Sequence, residues 1–579
     1  MKKRLILLSA ILVILLMVPL VQSKQEIVAE ELTQPVLGKL GVIVIFDACN
    51  YSVLDSVSTP NIDTLISQGI YVIGDTILPS ATTAAHTALA VGAYPETTGV
   101  THTYAYNSTE YHEQLLDETP AKKYYSDMLK AKTIFEVAKD NYVKTALIVS
   151  KSKLDVMLGS GGADIFEVLP DSIVEPGDPH DASYPLEKRY TAMEWITNES
   201  LKAIDQFAIS IKEGENALLL IHYAEPDWVG SALGPDSSEY RQLIQFLDGE
   251  IGRIYNKLVD TGLWSKTLFF LTADHGLTAV DPLKDILTGD PSHLSVLDVE
   301  HFVSETAGLL LHIYLKYPEK DTHRAVEILK SYPWTKGVYT RVNDSLADGT
   351  LDAIHLNTEF AGDIVLDVKA PYYASKYEGA LGAHGGTDTI KIPVIITGGA
   401  FKAGSTVADC KIVDIAPTLA EYLGFDLPDS TGSVLNVFKK LGTASLSVSP
   451  GIVEPGQSFV VQFNYTLQEI EEGMVAKILL LNESGAILEN YTVQISTSNG
   501  TIEHEFKLTV EGTFYILGAI YDSEGYPICG SKSRVLSVEV SEPPTPWDKI
   551  AVAVVISVFL GAALVVLPYF FKRYKILFK

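Results

Sequence analysis

The stretch Val42-Ile-Val-Ile-Phe46, followed at once by Asp47, decides how this chain is read. A run this continuously apolar does not suit a strand with one wet face. It suits a strand covered on both faces. Ala146-Leu-Ile-Val149, Ala217-Leu-Leu-Leu-Ile221, Leu268-Phe-Phe-Leu271 and Pro393-Val-Ile-Ile396 share the pattern, and helical spacing over 237–258 and 322–331 lies between them. From about Leu37 to Leu441 the chain therefore reads as an α/β domain, doubly wound around a mainly parallel sheet.

Chemistry-bearing residues stand at the ends of these runs, where open α/β sheets bind ligands. Asp47 ends the first. Asp227 follows the run through Ile221, within Tyr223-Ala-Glu-Pro-Asp227-Trp-Val-Gly230. Asp274-His275-Gly276 ends the run through Leu271, and His384 lies in Gly382-Ala-His384-Gly-Gly386, before the run at Pro393. One such aspartate is usually a turn or cap residue, and one histidine an ordinary polar contact. Gathered at one sheet edge, they make a metal site. Mixed Asp and His donors suit zinc, with manganese or iron as alternatives.

Leu78-Pro-Ser-Ala-Thr82-Thr-Ala-Ala-His86 reads as a loop entering a helix near Thr82, and Gly92-Ala-Tyr-Pro95 as the turn after it. A threonine there could be only an N-cap. Free N–H groups and the helix dipole also favour an anion at that end, which suits a nucleophile attacking phosphate.

Asp47 after a strand, Pro79-Ser-Ala-Thr82 with Gly92-Ala-Tyr-Pro, Glu225-Pro-Asp227, Asp274-His275-Gly276, Gly382-Ala-His384-Gly, and Val413-Asp-Ile-Ala-Pro-Thr418 with Gly424 together resemble the alkaline phosphatase superfamily. The branch they resemble is the type I phosphodiesterases/nucleotide pyrophosphatases. The resemblance covers about residues 37–441. It implies two metal ions, one held by Asp47, Asp274, His275 and the Thr82 oxygen, the other by Asp227, His384 and a third ligand. It also implies that Thr82 attacks phosphorus, giving a phospho-threonine that water then cleaves.

Two positions depart from the family pattern. Asp-Xaa-Xaa-Gly-His is usual after the Glu-Pro, but Asp227-Trp-Val-Gly230 is followed by Ser231, a poor neutral zinc ligand. His222 and His180 are conceivable substitutes without supporting spacing. The family asparagine after Gly99 is matched by Thr103. The region 277–382, with His293 and His301, holds the family-variable material and is expected to shape the substrate pocket.

The chain ends read as membrane signals. Lys2-Lys3-Arg4 and the apolar run Leu5–Val21 make residues 1–23 a signal peptide, with an uncleaved anchor as the alternative. Residues 550–571 are uncharged and long enough to span a bilayer, and Lys572-Arg573-Tyr574-Lys575 places the tail 572–579 in the cytoplasm. The expected location is a single-pass cell membrane protein with its catalytic domain outside. Alternating runs within 443–541 suggest an immunoglobulin-like β-sandwich, and residues 542–549 a Pro-rich stalk.

A net charge of −28 argues against nucleic-acid binding. Cys49, Cys410 and Cys529 are too few and too far apart for a disulfide scaffold. Asn107, Asn198, Asn343, Asn464, Asn482, Asn490 and Asn499 begin glycosylation sequons, as does Asn50, which stands too near Asp47 to be expected to carry a glycan. Nothing fixes an oligomeric state.

The leading expectation is a surface-anchored, metal-dependent hydrolase of phosphodiester or pyrophosphate bonds. One rival is a phosphomonoesterase or phospho-group transferase acting on surface glycans or lipids. The other is a non-catalytic surface protein with a degenerate site. No Cys/Ser-Xaa-Pro-Xaa-Arg motif supports a sulfatase, and the membrane signals disfavour a cytoplasmic phosphoglycerate mutase.

Overall fold

A computed structural model describes residues 38–537, apart from 102–103, 108–111, 116–128, 176, 213, 288–298, 305–306, 376–378, 440–441, 468–469, 471, 484–485 and 522–526. The signal segment, the stalk, the 550–571 span, Thr103 and His293 lie outside the described residues, as does the side chain of His301. Among the described residues no helix is long and apolar enough to cross a membrane.

The apolar runs form the strands they suggest. They are β1 (Leu40–Phe46), β3 (Lys144–Val149), β5 (Ala217–Tyr223), β6 (Thr267–Thr272) and β7 (Lys391–Thr397); β2 (Ile70–Asp75) and β4 (Ile165–Val168) complete a seven-stranded sheet. Its order is β2-β7-β6-β1-β5-β3-β4. All seven residues of β1 and of β5 are buried, as strands covered on both faces require. The covering helices include α1 (Thr82–Val91), α2 (Leu186–Lys212), α3 (Glu225–Leu233), α4 (Ser238–Asp260) and α5 (Ile415–Leu423). Ser237 caps α4 through the Tyr240 N–H, and Gly92 closes α1 in a left-handed conformation at φ 72°.

One expectation needs correction. The Pro393–Ile396 run is not a parallel strand, because β7 runs antiparallel to both β6 and β2. Its start therefore lies at the same edge as the ends of β1, β5 and β6. That orientation is how His384, which precedes its strand, reaches the site formed by residues that follow theirs.

The variable region between β6 and β7 has a fold of its own. It builds a five-stranded sheet ordered Val299–Ser304, Leu310–Leu315, Ile364–Val368, Thr335–Thr340 and Gly349–Thr350. The helix Pro318–Lys330 contributes Val326 and Leu329 to a core shared with Leu311, Ile313 and Leu366. The region begins and ends at one place, where the Gly276 N–H donates to the Thr389 carbonyl at 2.8 Å.

Beyond Gly442 two further sheets, of three and five strands, share a core around Val461, Phe463, Ile478, Phe506 and Ile516. Ser458–Leu467 alternates buried and open positions, as its sequence predicts. The strand Asn499–Lys507 stops before Leu508.

Candidate metal centre and nucleophile

Strand register brings the site together. Val149, His222, Ile45 and Thr272 are aligned across β3, β5, β1 and β6. Lys151, Asp47 and Asp274 each follow an aligned residue by two positions. Their side chains meet at the sheet edge.

Each of two buried aspartates has one oxygen engaged and one bare. Asp274 Oδ1 accepts the N–H groups of Ala48, at 3.0 Å, and His275, at 2.9 Å. Asp47 Oδ2 faces His222 Nε2 at 2.9 Å and Lys151 Nζ at 2.7 Å. Asp274 Oδ2 and Asp47 Oδ1 accept no hydrogen bond, although both residues are fully buried.

His275 Nε2 lies 3.2 Å from Asp274 Oδ2, 3.7 Å from Asp47 Oδ1 and 3.3 Å from Thr82 Oγ1. Its Nδ1 donates to the Gly276 carbonyl at 3.0 Å, which leaves Nε2 as an acceptor. Asp47, Asp274 and His275 thus make a buried group able to hold a metal ion, with the Thr82 oxygen as a fourth donor. Bare carboxylate oxygens out of water are costly unless a cation meets them, so these residues fit a divalent ion.

Thr82 is not the cap of its helix. Ala81 holds that position in extended conformation, and Thr82 opens the first turn. His86, one turn on, donates from Nδ1 to the Thr82 carbonyl at 2.8 Å and lies 3.2 Å from Asp274 Oδ2. The loop before Thr82 is tied to the His384 loop. Ser80 donates from its backbone to the Gly385 carbonyl at 2.9 Å, and from Oγ to that of Gly386 at 2.8 Å. Gly386 is required by close approach, since a Cβ there would collide with Asp367 Oδ1 and with the Leu309 carbonyl oxygen.

The second set of expected ligands does not fit a second ion. Asp227 Oδ1 accepts from Ser231 Oγ at 3.3 Å and lies 3.9 Å from His384 Nε2. Asp227 Oδ2 is taken by Lys151 Nζ at 2.7 Å. Of the two suggested substitutes, His222 is committed to Asp47. The His180 ring lies edge-on to that of Trp228 with centroids 5.8 Å apart, near enough to Asp227 and Lys151 to feel both charges, and no hydrogen bond or ion pair is found between it and Asp227 among the described residues.

Burial and neighbours set the protonation states. Burial works to raise the Asp227 carboxyl, but the Lys151 ammonium draws it down to about 2. Asp47 is likewise held well below the usual range, where Lys151 and His222 overcome the cost of burial. Burial pushes His222 and His384 down to about 4, so both rings are neutral at neutral pH. Burial lifts Glu225 to about 8.

A sequence profile of the family Type I phosphodiesterase / nucleotide pyrophosphatase matches residues 42–387, more than half of the chain. The chain belongs to this family, and its fold is of the alkaline phosphatase type. It is 24% identical over 249 residues to human ectonucleotide pyrophosphatase/phosphodiesterase family member 7, covering 42% of this chain and 48% of that protein. It is 26% identical over 225 residues to the bis(5′-adenosyl)-triphosphatase ENPP4 of Bos taurus, covering 37% and 46%. The chain thus spans about half the length of these curated relatives. Murine ectonucleotide pyrophosphatase/phosphodiesterase 5 superposes with a TM-score of 0.52 at 20% identity, over 68% of this chain and 97% of that one.

Proposed function

We propose that the chain is a metal-dependent hydrolase of phosphodiester or pyrophosphate bonds, with Thr82 as nucleophile. The observation that carries this reading is the set of Asp47 Oδ1, Asp274 Oδ2 and His275 Nε2 beside Thr82 Oγ1 at the start of a ten-residue helix. Asp47, Asp274, His275 and Thr82 would hold the ion. When bound, it supplies Lewis acidity toward the Thr82 hydroxyl and the phosphoryl oxygens.

Thr82 Oγ forms a bond to phosphorus as its proton is given up, by way of solvent, to the departing ester oxygen. The ester oxygen leaves with the bonding electrons, and a phospho-threonine remains. Water then attacks phosphorus, breaks the Thr82–phosphate bond and restores the hydroxyl. The first turn of α1 directs its N–H groups toward the phosphoryl oxygens. His86 holds that turn from below through the Thr82 carbonyl.

In this reading residues 37–441 are the catalytic domain, 443–541 a β-sandwich spacer, 542–549 a stalk and 550–571 a membrane helix that keeps the site outside the cytoplasm. Support comes from the uncharged C-terminal run, its basic flank and the sequons. The test is a turnover screen of the zinc- or manganese-loaded chain on nitrophenyl phosphates. Preference for the bis-nitrophenyl diester supports the proposal. Preference for the monoester moves the chain to the phosphomonoesterase reading, and no turnover of either ester counts against catalysis.

A further inference from the structure

We infer that the Lys151 ammonium takes the place of a second metal ion, so that this chain works with one ion and one buried lysine. The inference rests on the single-ion reading above. Lys151 Nζ stands 2.7 Å from Asp47 Oδ2 and 2.7 Å from Asp227 Oδ2, and so bridges two carboxylates that the family pattern assigns to different ions. The side chain of Lys151 is only 8% exposed and those of the two aspartates 0% and 9%. The contact is therefore built into the fold and is not a surface pairing.

Three further observations agree. The third ligand expected for a second ion is Ser231, whose hydroxyl bonds to Asp227. The remaining ligand, His384, stacks its ring on His275 with centroids 4.1 Å apart, and its Nε2 lies 3.9 Å from Asp227 Oδ1. The charges also balance. Asp47, Asp227 and Asp274 carry three negative charges, which one ammonium and one divalent ion neutralise. A second divalent ion would meet an ammonium already seated on Asp227, and like charges in a buried site repel strongly. Lysine and serine together thus replace metal and histidine.

The test is metal content. The full-length chain is saturated with zinc, desalted, and analysed by inductively coupled plasma mass spectrometry. One zinc per chain is expected for the wild type. The double variant Lys151→Ala, Ser231→His frees Asp227 and restores the family ligand, and should hold two. A wild type with two tightly bound ions overturns the inference. A double variant that folds and still holds one removes Lys151 as the occupant. A wild type that holds none fails at Asp47, Asp274 and His275, which refutes the single-ion reading itself. Should the double variant not fold, anomalous scattering at the zinc edge from wild-type crystals decides. One peak beside Thr82, with Lys151 still between Asp47 and Asp227, supports the inference. A second peak on Asp227, with the lysine turned away, overturns it.

Discussion

His222 Nε2 meets Asp47 Oδ2 at 2.9 Å, and burial keeps that ring neutral, so the N–H is a donor that orients the carboxylate. The opposite oxygen, Oδ1, is thereby left facing His275 and open to a cation. His222 is a positioning residue for the proposed ion.

Replacing His222 therefore acts on metal affinity. His222→Leu should weaken zinc binding by about 10–100-fold, the usual cost of losing a partner behind a metal ligand. His222→Gln can place an amide N–H near the same spot and should recover most of the loss. Competition against a zinc-binding dye measures both. Equal affinity in His222→Leu and wild type would show that Lys151 alone fixes Asp47.

Thr82 separates binding from chemistry. Thr82→Ala keeps Asp47, Asp274 and His275 and should retain zinc, yet turnover should fall by several orders of magnitude. Thr82→Ser keeps a hydroxyl and should retain part of the rate. A near-wild-type rate in Thr82→Ala would falsify the covalent route.

His312 offers a pH test on a residue outside the proposed ligand set. Burial, helped by Arg341, lowers it from the ordinary 6.5 to about 3, and its Nδ1 accepts the Gly362 N–H at 3.2 Å. Between those two pH values the unfolded chain binds a proton that the folded chain refuses. Acid therefore favours unfolding, with a slope near ~1.4 kcal/mol per pH unit from this group. His312→Asn keeps an acceptor for Gly362 and removes the titration. Thermal melts from pH 7 to pH 4 should show a shallower decline in the variant, and parallel declines would reject the assignment.

Topology is tested on intact cells. Protease added outside should release a large soluble fragment cut within the stalk at 542–546. Full-length protein that resists the protease and fractionates with the cytosol rules the anchored arrangement out.

The strands were legible because β1 and β5 are buried along their whole length and so carry no polar alternation. The direction of β7 was not, since an apolar run looks the same read either way. Thr82, Asp47, Asp274 and His275 were legible as motifs, and the structure brings them together. Lys151 was missed. A lysine just past a strand is ordinarily a solvated residue, and only the alignment of β3 with β5 and β1 turns it inward. A signal was available, because Lys151 follows Val149 by two positions as Asp47 follows Ile45. Ser231 announced a missing ligand but could not announce what replaced it. The five-stranded sheet was hidden as well, because its strands, such as Leu310–Leu315 and Ile364–Val368, are short.

The hydrogen bond from Gly276 to Thr389 closes the base of everything inserted between β6 and β7. With both ends pinned to one another at the rim, the stretch between them is a cassette. Lengthening it adds only slowly to the entropy of closing the loop and does not stretch the central sheet. Selection can therefore rewrite the surroundings of Thr82 by exchanging this cassette, and so can an engineer, without disturbing Asp274 and His275 just before its entrance. His384 is the exception: it sits inside the cassette, so any replacement must bring its own histidine or do without one.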